Sequence, residues 1–312
     1  MRNNMIKIVC EEAEKNKDLI FVTADLGFNV LNAFYDTYPN QYINVGIAEQ
    51  NMTSVAAGLA LEGKKVFTYS IGSFSTFRCL EQIRNDVCYH NADVKIIALA
   101  AGFAYGALGM SHHATEDITA MKSLPNMTIF SPCDPIETRA VTRSAIKLNT
   151  PCYIRLGRGG EPNIHDDESI EYNFEIGKAY KLFDGNDACI FSTGAITIEA
   201  KKAVLSLKEK GINVSLYSFP TIKPIDEETI ISCAKKYKTI ITVEEHQING
   251  GFASSIADVL SKDPNQHAVL SRIGMVDEFT SKVGSTDYLR REYNMDSNAI
   301  TNKVMECLKW KK

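Results

Sequence analysis

The stretches Lys65-Val66-Phe67-Thr68-Tyr69 and Val94-Lys95-Ile96-Ile97-Ala98-Leu99 decide the fold of this chain. Both are short runs rich in β-branched and aromatic residues, a composition typical of buried strands. The segment 75–89 between them has the apolar spacing of a helix. A strand, a helix and a second strand in this order predict two parallel strands that are joined by a crossover helix.

The same alternation continues on both sides of this unit. A helical pattern at 4–16 precedes the strand-like run Leu19-Ile20-Phe21-Val22, and Asp134-Pro135 opens a later helix with a cap and a first-turn proline. Two more strands flank that helix, at Met127-Thr128-Ile129-Phe130 and Cys152-Tyr153-Ile154-Arg155. We therefore expect residues 1–156 to form a domain with a parallel sheet and helices on both faces.

A segment of different composition then divides the chain. Residues 157–173 are rich in Gly, Pro, Asn, Asp and Glu, which predicts a linker. Residues 174–312 return to alternating patterns, with strands near 188–191, 213–217, 239–243 and 268–270 and helices near 195–210, 226–236, 250–261 and 296–309. The sequence thus predicts an α/β protein with two three-layer α/β/α domains, of which the second is smaller.

The composition excludes several classes of protein. With 312 residues, 45% hydrophobic and 23% charged, the chain is typical of a globular protein, and a net charge of −4 offers no basic surface for nucleic acid. No apolar run is long enough to cross a bilayer, and the N-terminal residues begin an amphipathic helix, so we expect a cytoplasmic protein. The eight cysteines include no C-x-x-C pair, which favours reduced thiols and no metal cluster.

One acidic residue stands out in the stretch Asn44-Val45-Gly46-Ile47-Ala48-Glu49-Gln50-Asn51. Glu49 is the only acid between Asp36 and Glu62, and an apolar helical pattern follows it from Met52 onward. Burial of a lone carboxyl is costly, so Glu49 needs a hydrogen-bonding partner. Taken alone, the stretch suits an ordinary helix start better than a functional site.

Two further polar clusters follow predicted strands, where open α/β sheets bind ligands. The stretch 23–29 contains Asp25, which also suits a turn cap. The glycine-spaced stretch 102–117 brings His112 and His113 to the start of a helix. Neutral imidazoles suit proton transfer or hydrogen bonds to sugar oxygens, whereas a solvated loop histidine is the simpler interpretation of His113. Paired histidines without a third spaced ligand are weak evidence for a metal.

Two aromatic residues lie at the start of the helix that is predicted between the strands 65–69 and 94–99. Phe74 and Phe77 are three residues apart and share one helical face. They suit a plain hydrophobic core, and they also suit a wall on which a planar heterocycle stacks.

In this order, the motifs resemble the C-terminal half of transketolase over essentially the whole chain. Asn44 to Gln50 is similar to the family's G-x-x-E segment, and Gly109-Met110-Ser111-His112 to its G-P-T-H loop. Further similar segments are Ser131 to Thr138, Ser192 to Ala195, Ser218 to Asp226, and Val243 to His246 with Gly250-Gly251. The resemblance implies a pyrimidine-binding domain for thiamine diphosphate, followed by the transketolase C-terminal domain.

The resemblance also implies roles for individual residues. Glu49 would bind N1′ of the cofactor's aminopyrimidine and favour its imino tautomer, and Phe74 would stack on that ring. The other implied residues are Phe77 and Asp25 at the cofactor, His112 with His113 as its helper in proton transfer, and Arg2, Asn29 and Arg158 at a terminal phosphate or sulfonate. A ketol unit of two carbons would pass from a ketose donor to an aldose.

Two departures from the family concern the substrate. Leu108 stands where the usual E-D-G-P-T-H loop has aspartate, and Ala100 stands where many members have histidine. Both changes predict an unusual donor or acceptor sugar, because a hydrogen bond to a sugar hydroxyl is missing at Leu108.

The chain has no G-D-G segment with the spaced asparagine that holds magnesium and diphosphate in this superfamily. The resemblance therefore implies a split enzyme, in which a separate N-terminal subunit binds the diphosphate and Mg²⁺, in an α2β2 assembly. Three alternatives remain open at the level of sequence. They are the β subunit of a 2-oxoacid dehydrogenase, a deoxyxylulose-phosphate synthase and a regulatory paralogue without catalysis.

Overall fold

The computed structural model describes residues 1–265 and 267–309. Strands β1 to β6 lie in the N-terminal half, at Leu19–Thr23, Tyr42–Asn44, Lys65–Ile71, Val94–Leu99, Thr128–Phe130 and Cys152–Arg155. Strands β7 to β12 follow at Tyr180–Phe183, Ala188–Ser192, Val214–Ser218, Thr221–Lys223, Thr239–Gln247 and Val269–Met275. Within the described residues these strands form two sheets, ordered β10-β5-β6-β4-β3-β1-β2 and β12-β11-β8-β9-β7.

Helices pack on both faces of these sheets. Helices α1 to α6 lie at Arg2–Lys15, Asn32–Thr37, Glu49–Leu61, Leu80–Gln82, Asp117–Lys122 and Pro135–Lys147. Helices α7 to α12 lie at Ile170–Asn173, Thr197–Glu209, Glu227–Lys236, Phe252–Leu260, Thr286–Glu292 and Ser297–Lys309. Among the described residues, none of these helices combines the length and the apolar character that a bilayer span requires.

Both sheets are built around parallel strands, and the predicted α/β fold is confirmed. In the first sheet, alternate residues face opposite layers: Val66 and Ile96 join one buried cluster, while Phe67 and Ile97 join the other. Two more clusters cover the two faces of the second sheet. Every residue of β4 is buried, as expected for a parallel strand that is covered on both sides.

Three short strands were not predicted from the sequence. They are β2, β7 and β10, with three or four residues each, at the edges of the sheets. Strand β10 pairs antiparallel with β5, so a segment of the C-terminal half completes the first sheet. Runs of this length have too few residues to show the alternation that marks a strand.

The crossover segment between β3 and β4 is helical, but it differs from a regular α-helix. Phe74–Arg78 and Ile83–Cys88 have π-helical geometry, and the short helix α4 lies between them. Single π-helical turns occur frequently at functional sites, because the wider turn changes the direction of the side chains.

A buried arginine joins the two halves of the chain. At the end of β6, Arg155 Nε donates to the Asp117 carboxylate at 2.8 Å. Its Nη2 donates to the backbone carbonyls of Ala114 and Glu245, both at 2.9 Å. Because Glu245 lies in β11 of the second sheet, Arg155 holds the loop before α5 against both sheets. That loop carries the two predicted histidines.

Candidate functional site

Glu49 is the first residue of α3, immediately after the turn that follows β2. Gly46 has a φ of +77° in this turn, which glycine adopts without strain. The Glu49 carboxylate is buried, with 7% of its side chain exposed, and its Oε2 accepts a hydrogen bond at 3.1 Å from Nη1 of Arg78. The partner that the sequence required for this carboxyl is therefore a guanidinium on the π-helical segment.

Phe74 lies beside the same guanidinium. The Cζ atom of Arg78 is 3.8 Å from the centre of the Phe74 ring, and the His112 ring meets Phe74 edge-on with its centroid at 5.0 Å. Ser73 helps to hold this arrangement, since its hydroxyl donates to the backbone carbonyl of Ser111 at 2.8 Å. The structure thus brings together three residues that are far apart in sequence: Glu49, Phe74 and His112.

Sequence reasoning missed Arg78. A usable signal was present, because Arg78 follows Phe74 by four residues and such pairs lie on one face of a helix. Phe77 lies on the same segment and exposes 42% of its surface.

The two histidines occupy different environments. His112 is partly exposed, and its Nδ1 lies 3.0 Å from the hydroxyl of Ser111. His113 is buried, with Nδ1 at 2.6 Å from the Thr280 hydroxyl and Nε2 at 3.2 Å from the carbonyl of Gly106. A carbonyl only accepts, so Nε2 of His113 carries the proton and Nδ1 accepts from Thr280.

Burial lowers the pKa of His113, which favours the neutral ring. Both ring nitrogens are engaged within the protein, which favours a structural role for His113, and its role in proton transfer stays a prediction. Its contact with Thr280 fastens the histidine loop to the second domain.

Asp25 follows β1 and is hydrogen-bonded to Asn44, the residue at which β2 ends before the turn to α3. Nδ2 of Asn44 donates to its carboxylate at 3.2 Å, and Asn44 Oδ1 accepts from the backbone N–H groups of Asp25 and Gly46, both at 3.0 Å. Asp25 and Asn44 line a cavity of about 450 Å³ together with Phe28. The Asp25–Asn44 bonds therefore shape the turn that leads to Glu49.

The residues predicted to bind an anion lie near a second cavity. Arg158 lines this cavity of about 500 Å³ between the histidine loop and the start of α11, together with Leu108 and Tyr105. The Arg158 guanidinium lies 5.8 Å from the centre of the Tyr105 ring, and the Tyr105 ring lies 6.4 Å from that of His112. Tyr105 thus lies between the predicted anion-binding cation and the predicted substrate histidine.

The other two predicted anion contacts are at the same end of the sheet. Arg2 has a guanidinium nitrogen 3.9 Å from the position that a Cβ atom of Gly159 would take, which places it beside the backbone that follows Arg158. Asn29 is exposed on the loop after β1, with a φ of +58°. Leu108 exposes 56% of its surface at the cavity, whereas Ala100 is fully buried.

One group of side chains has the composition of a metal site. The ligand atoms of Cys133, Glu137 and His165 lie within 4.8 Å of one another. Glu137, however, already accepts from the Cys133 amide at 2.7 Å, and it lies 2.8 Å from Nε2 of His165. Burial raises the pKa of the Cys133 thiol, which favours the neutral thiol over the metal-binding thiolate. The group fits a structural contact that holds the 157–173 segment on α6.

Both halves of the chain are similar to domains of known proteins. The family model described as "Transketolase, pyrimidine binding domain" matches residues 1–161, and the one described as "Transketolase, C-terminal domain" matches residues 177–300. An apulose-4-phosphate transketolase subunit of Phocaeicola vulgatus is 36% identical to this chain, over 99% of this chain and 100% of that protein.

Two more similar proteins are also matched over almost their whole lengths. The "Putative transketolase C-terminal section" of Methanocaldococcus jannaschii is 39% identical, over 99% of this chain and 96% of its own length. The solved structure titled "Split gene transketolase, inactive beta4 tetramer" is 33% identical, with a TM-score of 0.88, and the match covers 100% of this chain and 98% of that chain.

These matches confirm the resemblance that was inferred from the order of the sequence motifs. Both domains are matched in the expected order, and the similar proteins are covered over almost their whole lengths. The chain belongs to the transketolase family, as the C-terminal subunit of a split transketolase.

Proposed function

We propose that this subunit holds the aminopyrimidine of thiamine diphosphate between Glu49 and Phe74. Together with a separate N-terminal subunit, it then transfers a two-carbon ketol unit from an anionic ketose to an aldose. The observation that supports the proposal best is the meeting of a buried carboxylate, an aromatic face and the partly exposed His112 at one place.

The residues at this place fit the pyrimidine half of the cofactor. The Glu49 carboxylate and the Phe74 ring already hold a planar group that donates N–H, the guanidinium of Arg78. A carboxyl so placed can accept a hydrogen bond from N1′ of an aminopyrimidine, or hold a proton there, while Phe74 stacks on the ring. When bound, thiamine diphosphate would supply a carbon nucleophile for the donor carbonyl.

His112 is the residue that we assign to the sugar oxygens. Its ring lies against Phe74, and the Ser111 hydroxyl at 3.0 Å orients it. From this position an imidazole can bond to a substrate hydroxyl and move its proton when the carbon bond forms or breaks. His113 holds the same loop in place through its buried contacts with Thr280 and Gly106.

The distal end of the substrate is proposed to be anionic. The cavity beside Tyr105 contains the Arg158 guanidinium, and Arg2 lies near the backbone that follows it. A guanidinium binds phosphate or sulfonate through paired N–H donors. Leu108 presents an apolar surface to the same cavity, which favours a sugar without a hydroxyl group at that point.

The partner is proposed to be an N-terminal subunit that binds the diphosphate and Mg²⁺, in an α2β2 complex. Two features of the similar proteins support a partner. The Phocaeicola vulgatus protein is named as one subunit of a transketolase and is matched over 100% of its length. The solved split-gene transketolase, a tetramer of four copies of one subunit, is described as inactive.

The proposal is tested by mixing this chain with the N-terminal subunit of the same organism, thiamine diphosphate, Mg²⁺ and a panel of ketose phosphates and ketose sulfonates. We expect ketol transfer with at least one donor, and a loss in kcat of about 10²-fold or more in Glu49→Gln. Glu62→Gln is the matched control, because Glu62 is an exposed carboxyl just beyond the end of the same helix. Full activity in Glu49→Gln, or no transfer from any donor, would overturn the proposal.

A further inference from the structure

Arg78 makes the two contacts that the proposed function assigns to the aminopyrimidine. Its guanidinium lies over the Phe74 ring at 3.8 Å, and its Nη1 donates to the Glu49 carboxylate at 3.1 Å. Like an aminopyrimidine, a guanidinium is planar, stacks on an aromatic face and presents N–H groups to a carboxylate. The guanidinium and the cofactor ring would therefore compete for the same ring face and the same acceptor.

Burial indicates which member of the ion pair is able to move. Half of the Arg78 side chain is exposed, whereas the Glu49 side chain is only 7% exposed. The cation already has access to water and can leave with little further change in hydration, but the carboxylate is fixed at the start of α3.

The place of Arg78 in the crossover segment also allows its side chain to move. Arg78 is the last residue of the π-helical segment Phe74–Arg78, and Cys79 after it has φ −105° and ψ 5°, outside the α-helical region. Rotation about the side-chain torsions of Arg78 can move its guanidinium away from Phe74 while the backbone stays in place.

We propose that Arg78 occupies the pyrimidine position in the cofactor-free subunit and leaves it when the cofactor binds. This inference rests on the proposed function of Glu49 and Phe74. In the cofactor-free protein the guanidinium neutralises a buried carboxylate that has no other hydrogen-bonding partner among the described residues. Arg78 therefore stabilises the cofactor-free subunit and weakens the binding of the cofactor, and these two effects have opposite signs.

The test uses the full chain alone and 4-amino-5-hydroxymethyl-2-methylpyrimidine as the probe, titrated by NMR. If Arg78 fills the site in about nine molecules of ten, Arg78→Ala binds the probe about tenfold more tightly, because the apparent Kd scales inversely with the open fraction. The same substitution lowers the urea midpoint of the probe-free chain. A residue with a purely structural role would lower the midpoint without tightening the binding of the probe.

The matched control is Arg84→Ala, which removes an exposed guanidinium from the same crossover segment. We expect it to leave both the affinity and the urea midpoint unchanged. Glu49→Gln distinguishes the two ways in which the proposal can fail. If Glu49→Gln abolishes probe binding while Arg78→Ala and the unmodified chain bind equally well, the proposed function stands and the role of Arg78 falls.

If neither the unmodified chain nor Arg78→Ala binds the probe, or if binding survives in Glu49→Gln, the assignment of Glu49 falls and the proposal for Arg78 falls with it. A second comparison tests the shape of the group as well as its charge. Arg78→Lys keeps the charge but has no planar group to stack on Phe74, so we expect a probe affinity between those of the unmodified chain and Arg78→Ala.

Discussion

Replacement of Asp117 by alanine tests the junction that holds the histidine loop. The Asp117 carboxylate is fully buried, and its Oδ2 accepts from Arg155 Nε at 2.8 Å and from the Tyr153 hydroxyl at 2.7 Å. Only 4% of the Arg155 side chain is exposed. In Asp117→Ala this cation stays buried, and the acceptors left to it among the described residues are the carbonyls of Ala114 and Glu245.

The loss of stability follows from that geometry. Removal of one partner of a buried ion pair costs about 3–5 kcal/mol, because the other charge loses its compensation. Tyr153→Phe is the matched control, since it keeps the ion pair and removes only neutral hydroxyl bonds, one to the same oxygen and one shared with the Thr76 hydroxyl at 3.1 Å. We expect the control to cost only about 1–2 kcal/mol.

The assay is urea unfolding of the full chain, followed by circular dichroism. The backbone of Ala114 is held by Arg155 and lies two residues beyond His112. We therefore also expect Asp117→Ala to loosen the histidine loop, measured as faster amide hydrogen exchange between residues 102 and 114. A cost below about 1 kcal/mol, or one equal to that of Tyr153→Phe, would refute the assignment of Arg155 as a cation that depends on Asp117.

Two further predictions concern glycine and a buried acid. Gly106→Ala should destabilise the chain by about 1–3 kcal/mol, because its Cβ would lie 2.5 Å from the Gly284 carbonyl oxygen. Gly58→Ala is the control on α3, where a Cβ atom meets open space, and it should stabilise the chain by up to about 1 kcal/mol. Equal urea midpoints for the two variants would contradict this prediction. Burial raises the pKa of Glu244 from 4.5 to about 7, although the amides of Phe252 and Ala253 donate to it. The raised pKa contributes stability that is fully present below pH 4.5 and is lost as the pH rises through about 7. Glu244→Gln should therefore reduce the fall in unfolding free energy between pH 5 and pH 8 by about 3 kcal/mol. An unchanged fall would contradict the assignment.

Much of the fold was predicted correctly because parallel strands leave a strong pattern in the sequence. Val94–Leu99 is buried along its whole length, and such a strand is apolar at every position except where a side chain such as Lys95 finds its own partners. The order of the motifs identified the family for a related reason. Glu49, Phe74 and His112 each follow a strand of one parallel sheet, and the ends of such strands meet at one edge.

The tertiary structure decided what the local pattern does not contain. The 28 residues between Glu49 and Arg78 include most of α3 and the whole of β3, so no helical or strand periodicity links the carboxylate to its partner. Strand β10 has three residues, and only its antiparallel pairing with β5 shows that the C-terminal half completes the first sheet.

The two adjacent histidines show the same division. The resemblance implied that His113 helps His112 in proton transfer, but His112 faces Phe74 and His113 is enclosed by Thr280 and Gly106. The sequence by itself determined the central parallel strands, the order of the domains and the carboxylate at the start of α3, because these depend on the pattern of residues near one another in the chain. The tertiary structure alone decided which group meets that carboxylate, because the ion pair forms between segments that only the packed fold brings within 3.1 Å of each other.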